Sequence, residues 1–406
     1  MRNVPKLRFK EFSGDWEEKN ILELCSMKAR IGWQNLRKEE HLETGEFYLV
    51  TGTDFHLERI KWETAKYVDE ERYLQDKNII LKEGDVLITK DGSIGKLAFI
   101  ENIKDRKATL NNGIFRIRIE KEEQYSKYLF YTFLSNRFKL FLQQLTAGST
   151  IVHLYQKDFE KYAIAYPKLK EQEKIADFLS SVDKKISITE EKLDLFKDYK
   201  KGVMQKIFKQ ELRFKDSEGN DYPEWEEKEV GELLVESKIL PEKQELEKRI
   251  TVKLNLKGIE KRKITPEEKE GATTNYLRKE GQFIYGKQNF HKGAFGIIPK
   301  ELDGYQSSSD IRSFDFIRNL IIGKYFYYYF SQKNVYENLE NISTGTGSKR
   351  IQPKVFFNVK LDIPCLEEQQ KIANFLSSID DKIDNLIAEL ENLKEFKKGL
   401  LQQMFV

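Results

Sequence analysis

The segment 167–208 reads PKLKEQEKIADFLSSVDKKISITEEKLDLFKDYKKGVMQKIF, and the segment 364–405 reads PCLEEQQKIANFLSSIDDKIDNLIAELENLKEFKKGLLQQMF. They align without a gap, with about half the positions identical, which marks an internal duplication. Each opens on a proline, whose fixed φ and missing N–H suit a helix start. Apolar residues then recur at alternating four- and three-residue steps. In the first copy they are Ile175, Leu179, Val182, Ile186, Leu193, Phe196, Val203 and Ile207. In the second they are Ile372, Leu376, Ile379, Ile383, Leu386, Leu390, Leu393, Leu400 and Met404. This is an a/d seam and predicts two long helices of coiled-coil type. Lys200 and Lys397 fill the same seam slot, and Thr189 stands where the other copy has Leu386. A polar seam residue can fix register, but near a helix end the expectation is that both lysines snorkel into water. The net charge is +3 over 168–209 and −3 over 365–406. The seams therefore favour pairing with each other, an effect that salt screens. A helix of about 38 residues spans about 55 Å, so the pair would form a rod that spaces whatever is attached to it.

The duplication extends beyond the helices. LRFKEFSGDWEEKNILEL at 7–24 returns as LRFKDSEGNDYPEWEEKEVGELL at 212–234. The chain thus alternates globule and helix: 1–166 and 210–363 are the expected globules, 167–209 and 364–406 the expected helices. The two inserts share an order of features but little sequence. GDVLITKDGSIGKLAFIE (84–101) predicts two short buried strands joined by a glycine-containing turn, and GQFIYGKQNFHKGAFGIIP (281–299) stands in its place in the second half. LNNGIFRIRI (110–119) alternates as a half-buried strand with arginines on one face. Aromatic helices are expected over 124–145 and 316–332, small-residue loops over TAGSTIVHLYQKDF and STGTGSKRIQPKVF, and final strands at AIAYP and KLDIP. The fold class is mixed α/β (α+β), with two globules alternating with two long helices in a pseudo-twofold repeat.

Composition sets bounds. A length of 406 residues points to two or three units. With 39% hydrophobic and 34% charged residues and a mean hydropathy of −0.64, the chain can bury cores but is very polar outside them. A net charge of +3 means that any nucleic-acid surface must be a local patch. Cys25 and Cys365 are in no metal-ligand spacing and suit a reducing cytoplasm. The start MRNVPKLRFKEFSGDW has no apolar core of a secretory signal, and no long uncharged apolar run predicts a membrane span.

Catalytic signatures are missing from the sequence. KDGSIGK has the wrong spacing for a phosphate loop, and no Ser or Thr follows Lys96. In TGTGSKR, Arg350 stands where a dinucleotide fingerprint needs a small residue. His41, His56, His153 and His291 form no ligand pair, and no Gly-x-Ser-x-Gly elbow occurs. The expectation is a chain without catalytic residues or metal ligands of its own.

What remains is basic, polar and aromatic loop chemistry at matching points of the two globules. Hydroxyls and backbone N–H groups suit phosphates; Arg, Lys, Asn and Gln suit base edges. In the first half the candidate DNA-binding residues are Arg30, Gln34 and Asn35; Lys90, Ser93 and Lys96; and Ser149, Thr150, Tyr155, Gln156 and Lys157. In the second half they are Lys287, Gln288, Asn289, His291 and Lys292; Ser308 and Arg312; and Thr346, Ser348, Lys349, Arg350 and Gln352.

The paired EQEKIADFLSSVDKKI and EQQKIANFLSSIDDKI, the helix ends KKGVMQKIF and KKGLLQQMF, the LRFK…W openings and the two small-residue loops resemble the specificity subunit of type I restriction–modification systems. That resemblance implies two target recognition domains, each reading one half of a split, asymmetric DNA sequence. It implies long helices that pair antiparallel, act as a ruler and dock two methyltransferase subunits, with restriction subunits joining the full complex. S-adenosylmethionine, ATP and Mg would belong to those partners, and the chain itself would be a non-catalytic cytoplasmic protein bound to double-stranded DNA and to no membrane. Two other readings are a coiled-coil adaptor without specific DNA readout and a nuclease with an unrecognised site.

Overall fold

The computed structural model describes residues 4–32, 36–146, 153–265, 273–345 and 349–406. The duplicated segments are helices, Leu169–Phe208 and Leu366–Gln403. The prolines stand two residues before the first helical turn rather than in it. Their carbonyls accept from the Nε2 of Gln172 and of Gln369, both at 2.8 Å. The chain divides into two compact units, Met1–Glu190 with Glu389–Val406, and Glu191–Ala388. Each unit holds one globule and a part of each long helix.

The packing explains that division. In the first unit the apolar side of the aromatic helix, with Tyr128, Leu129, Phe130, Phe133 and Phe138, shares one core with Ile175, Leu179, Val182 and Ile186 and with Leu400, Leu401 and Met404. In the second, Phe283, Phe290, Phe326, Phe330 and Phe356 share a core with Val203, Met204, Ile207, Ile372, Leu376 and Ile379. The helix seam is thus also a wall of each globule's core, where apolar burial at about 25 cal/mol per Å² favours the docked arrangement.

Each globule is built on the same four-stranded antiparallel sheet. In the first unit the order is Cys25–Lys28, Ile114–Ile119, Val86–Thr89, Leu97–Phe99. In the second it is Leu234–Ser237, Ile311–Phe316, Phe283–Gly286, Phe295–Ile297. A two-stranded ladder ties the start of each globule to its end, Glu17–Asn20 with Ala163–Tyr166 and Glu226–Glu229 with Lys360–Ile363. The expected strand over 110–119 is two strands. Leu110 ends Lys107–Leu110, which runs parallel to Phe47–Val50, and the chain turns through residues 111–113 before Ile114. Its arginines face inward chemistry rather than water: Arg116 is buried, and Arg118 makes a bidentate pair with the buried Asp85 at 2.6 and 2.7 Å. The aromatic stretch 124–145 is likewise broken, into Ser126–Leu134 and Asn136–Thr146, where Ser135 turns to extended backbone.

The units part ways outside this frame. The first adds the three-stranded sheet of Lys66–Val68, Phe47–Val50 and Lys107–Leu110, and a hairpin of Phe55–His56 and Arg59–Ile60. The second adds two separate ladders, Ile250–Val252 with Ile259–Lys261 and Asn275–Leu277 with Gln306–Ser308.

Within each unit the helix portions run antiparallel. In the first, Lys397 Nζ lies 2.8 Å from Asp183 and Lys394 Nζ 2.8 Å from Glu190. In the second, Lys200 Nζ lies 2.5 Å from Asp380, and Lys382 lies over the Phe196 ring. These pairs overturn the expectation that the seam lysines snorkel. Each is held against an aspartate of the facing helix, and that aspartate also accepts from a tyrosine hydroxyl of the globule: Tyr131 to Asp183 and Tyr328 to Asp380, both at 2.7 Å. Other repeat-equivalent clamps fix each globule to its helix start. Arg8 pairs bidentately with Glu171, and Arg213 with Glu368. Gln172 accepts from the Tyr125 N–H, and Gln369 from that of Ile322.

Candidate nucleic-acid interface

In both units the candidate loops meet at one place, the end of the first strand of the GDVLITK-type hairpin, Val86–Thr89 or Phe283–Gly286. In the first unit Leu154 N–H donates to the Lys90 carbonyl at 3.0 Å; in the second Ile351 N–H donates to the Lys287 carbonyl at 2.8 Å. The small-residue loop is thereby pinned to the strand end. Leu154 and Ile351 are buried behind the bond, followed by Phe159 and Phe356 in the core. Buried apolar anchors at these steps leave the intervening polar residues facing outward.

The turn of the first unit is shaped by its own side chains. Thr89 Oγ1 donates to the Ser93 carbonyl at 2.5 Å and accepts from Lys96 N–H at 3.0 Å. Gly95 has φ +82°, which favours glycine, and a Cβ there would stand 2.6 Å from Leu142 Cδ1, so that side-chain end would have to move aside. Ser93 and Lys96 are exposed. Lys90 lays its amine over the Phe115 ring at 5.6 Å and points it at Asp91, 3.9 Å away. Tyr155, Gln156 and Lys157 are exposed beside it, with the Lys157 amine over the Tyr155 ring. Lys90, Asp91, Phe115 and 153–156 together line a cavity of about 260 Å³.

In the second unit Gln288 and Lys292 are exposed and Asn289 half-buried. Lys287 is buried along most of its length and meets Asp310 at 3.1 Å. Arg350 is exposed, 3.6 Å from the same Asp310, and a two-bond bridge with Thr344 closes its loop. Lys349 pairs with Glu340 at 2.8 Å, and Gln352 stands at the N-cap position of the short helix Pro353–Phe357, its carbonyl accepting from the Val355 and Phe356 N–H groups. Ser308 accepts from Asp310 N–H, while Arg312 pairs with Glu236 at 2.7 Å.

Two candidates stand apart from these clusters. Arg30 is 2% exposed and donates to the Leu110 carbonyl, Thr109 Oγ1 and Gln75, so it braces the strand Lys107–Leu110 of the three-stranded sheet. Burial lowers its pKa, with Arg72 adding to the effect. His291 is also buried, its Nδ1 has no hydrogen-bond partner among the described residues, and burial lowers its pKa. Gln34, Asn35, Ser149, Thr150, Thr346 and Ser348 lie outside the described residues.

No motif marks Arg278, which is 1% exposed and organises the second cluster from beneath. It donates to Ser307 Oγ at 2.6 Å, Ser313 Oγ at 2.7 Å and the Ile311 carbonyl at 2.9 Å, which fixes the turn carrying Ser308 and Asp310. Burial and neighbouring Arg312 pull its pKa down to about 10. Among the described residues no group of three or more His, Cys, Asp or Glu is placed to hold a metal ion, and no helix is long and apolar enough to cross a membrane.

A repeated frame with two different loop clusters defines a class of two-headed recognition protein. The family model for the type I restriction modification DNA specificity domain matches twice, over residues 13–196 and 222–395, and the chain belongs to that family. It is 25% identical to the type I restriction enzyme MjaVIII specificity subunit of Methanocaldococcus jannaschii, over 95% of both chains. It is 24% identical to the putative MjaX specificity subunit of the same organism, over 98% of this chain and 95% of that one. Its fold is similar to the crystal structure of a type I restriction–modification S subunit from M. genitalium, with a TM-score of 0.62 at 16% identity over 99% of each chain. A chain from a structure of type I restriction–modification complex assembly matches with a TM-score of 0.51, covering 95% of this chain and 96% of that one.

Proposed function

We propose that this chain is the sequence-specific DNA-binding subunit of a type I restriction–modification complex, and that each unit reads one part of a split, asymmetric target. One observation carries the reading: the same strand end and the same pinned loop present different side chains in the two units. In the first they are Lys90, Ser93, Lys96, Tyr155, Gln156 and Lys157. In the second they are Lys287, Gln288, Asn289, Lys292, Lys349 and Arg350. Lysine, arginine, asparagine and glutamine match guanine and adenine edges, and the remaining donors suit phosphates. Two unlike reading sets imply two unlike half-sites, and family membership weighs against an adaptor without DNA readout.

The chain acts without chemistry of its own. S-adenosylmethionine, ATP and Mg belong to methyltransferase and restriction subunits that assemble on it in the cytoplasm. Tyr199 and Phe396 hold the same position of the helix repeat, and both are 51% exposed. Exposed aromatics at matched positions suit two pseudo-equivalent docking sites, one for each of two methyltransferase subunits. The test is to map methylated bases across the host genome with and without this gene. A gapped, asymmetric adenine motif that vanishes on deletion supports the reading; a methylome unchanged in a host that expresses the complex contradicts it.

A further inference from the structure

In each unit a carboxylate stands in front of the strand-end lysine, and it reaches that place by a different route. Asp91 directly follows Lys90, whereas Asp310 comes from the turn before the strand Ile311–Phe316. The position matching Asp310 in the first unit is Gly113. The Gly113 carbonyl accepts from Lys90 N–H at 2.8 Å, as the Asp310 carbonyl accepts from Lys287 N–H at 2.9 Å. A Cβ built on Gly113 would lie 3.6 Å from Asp91 Cβ and 3.9 Å from its Oδ2. The Asp91 side chain therefore lies in van der Waals contact with the point where a side chain at position 113 would begin. Two routes to one location point to a demand for the negative charge itself.

The surroundings of the two acids agree. Asp91 lies 3.9 Å from Lys90 Nζ and 2.6 Å from His153 Nδ1. Asp310 lies 3.1 Å from Lys287 Nζ and 3.6 Å from Arg350 Nη1. His153 and Arg350 occupy the same step of the pinned loop, one residue before Leu154 and Ile351. The carboxylates stay open to solvent, with side chains 37% and 59% exposed, although the lysine facing Asp310 is itself buried.

We propose that Asp91 and Asp310 are the specificity-determining acids of the two clusters; this rests on the DNA-reading function proposed above. A carboxylate only accepts hydrogen bonds. Towards a phosphodiester it is repulsive, and while paired it keeps its lysine from neutralising the backbone. Towards the amino group of cytosine or adenine in the major groove it is a partner, with lone pairs to spare beyond those its neighbours use. Each acid thus weakens indiscriminate binding and favours a base pair that offers an amino edge.

The experiment uses the full chain in complex with its methyltransferase subunits and the variants Asp91→Asn and Asp310→Asn. Binding is measured from 50 to 200 mM salt on a duplex carrying the mapped target and on a random-sequence duplex, with thermal melts to confirm folding. Each variant is expected to bind random duplex about three- to tenfold more tightly at low salt, with a log–log salt slope steeper by about 0.9, as one lysine is released to phosphate. Target binding gains less or falls, so the ratio of specific to non-specific affinity drops. In a Lys90→Met background, Asp91→Asn should no longer tighten random binding. Unchanged affinity and slope in variants of a complex that does discriminate its target overturn this inference alone, as does tightening that persists without Lys90. A wild-type complex that binds both duplexes alike overturns the DNA-reading function and this inference with it.

Discussion

Lys397 and Lys200 hold the same slot of one repeat, yet the first is about half as exposed as the second. Both meet an aspartate of the facing helix, Asp183 or Asp380. In the first unit the hairpin Phe55–His56 and Arg59–Ile60 also brings Glu58 onto Lys397, through a tip where Leu57 and Glu58 take positive φ. The Lys397 side chain is left 11% exposed and that of Lys200 21%. Burial by itself lowers the Lys397 pKa, but Glu58 and Asp183 outweigh it and the net shift is upward. The shared frame places the ion pair, and the divergent insert decides how deeply it is buried.

The largest effects should fall on what the units share. Arg8→Ala and Arg213→Ala each take the paired cation from a buried glutamate, Glu171 or Glu368, at 4% and 0% exposure, and Glu368 keeps only the Trp225 Nε1–H donor at 3.2 Å in its place. Each is expected to cost about 3–4 kcal/mol in denaturant unfolding, the low end for a broken buried pair because the arginines are partly solvated. Similar losses in both variants fit one frame used twice, and a loss in only one breaks the equivalence. Next, Lys397→Met should cost about 2–3 kcal/mol and Lys200→Met about 1, since the second pair is more solvated. Equal costs would remove the contrast between the units. The raised Lys397 pKa adds a pH signature. Its contribution is fully present below about pH 10.5 and is lost as pH rises through the folded pKa. The stability gap between wild type and Lys397→Met should therefore hold from pH 7 to 9 and shrink above about pH 10.5.

Smaller effects test the clusters. Gly95→Ala is expected to cost about 1–2 kcal/mol, chiefly from a strained left-handed backbone, with Leu142 Cδ1 moving aside. Lys157→Ala should leave folding intact, weaken binding to all duplexes alike and lower the salt slope by about 0.9. A change in the methylated motif instead would assign Lys157 to base readout.

The repeat makes the frame legible in the amino-acid sequence alone. Heptad spacing locates both helices, glycine and β-branched residues locate the hairpin of the first sheet, and the recurring LRFK…W openings announce two globules. The split of 110–119 is hidden because Leu110 and Ile114 are both apolar and both in strands, so periodicity alone does not show that the strands pair in different sheets. The fate of Lys397 is hidden because its partner Glu58 is remote in sequence. Arg30 and Arg278 show the same limit within the candidate sites. Sequence marks a basic residue in a polar stretch, but only the fold tells whether it faces outward, like Lys96, or braces a turn from inside, like Arg278.

Whether the two units read separate half-sites from one frame is tested most directly by exchanging one globule. Residues 210–363 are replaced with the matching segment of another member of the family, and methylated adenines are mapped in cells carrying the hybrid. Separate reading predicts a motif in which one half-site changes while the other half-site and the gap persist. A motif in which both half-sites change together, or neither does, would contradict it.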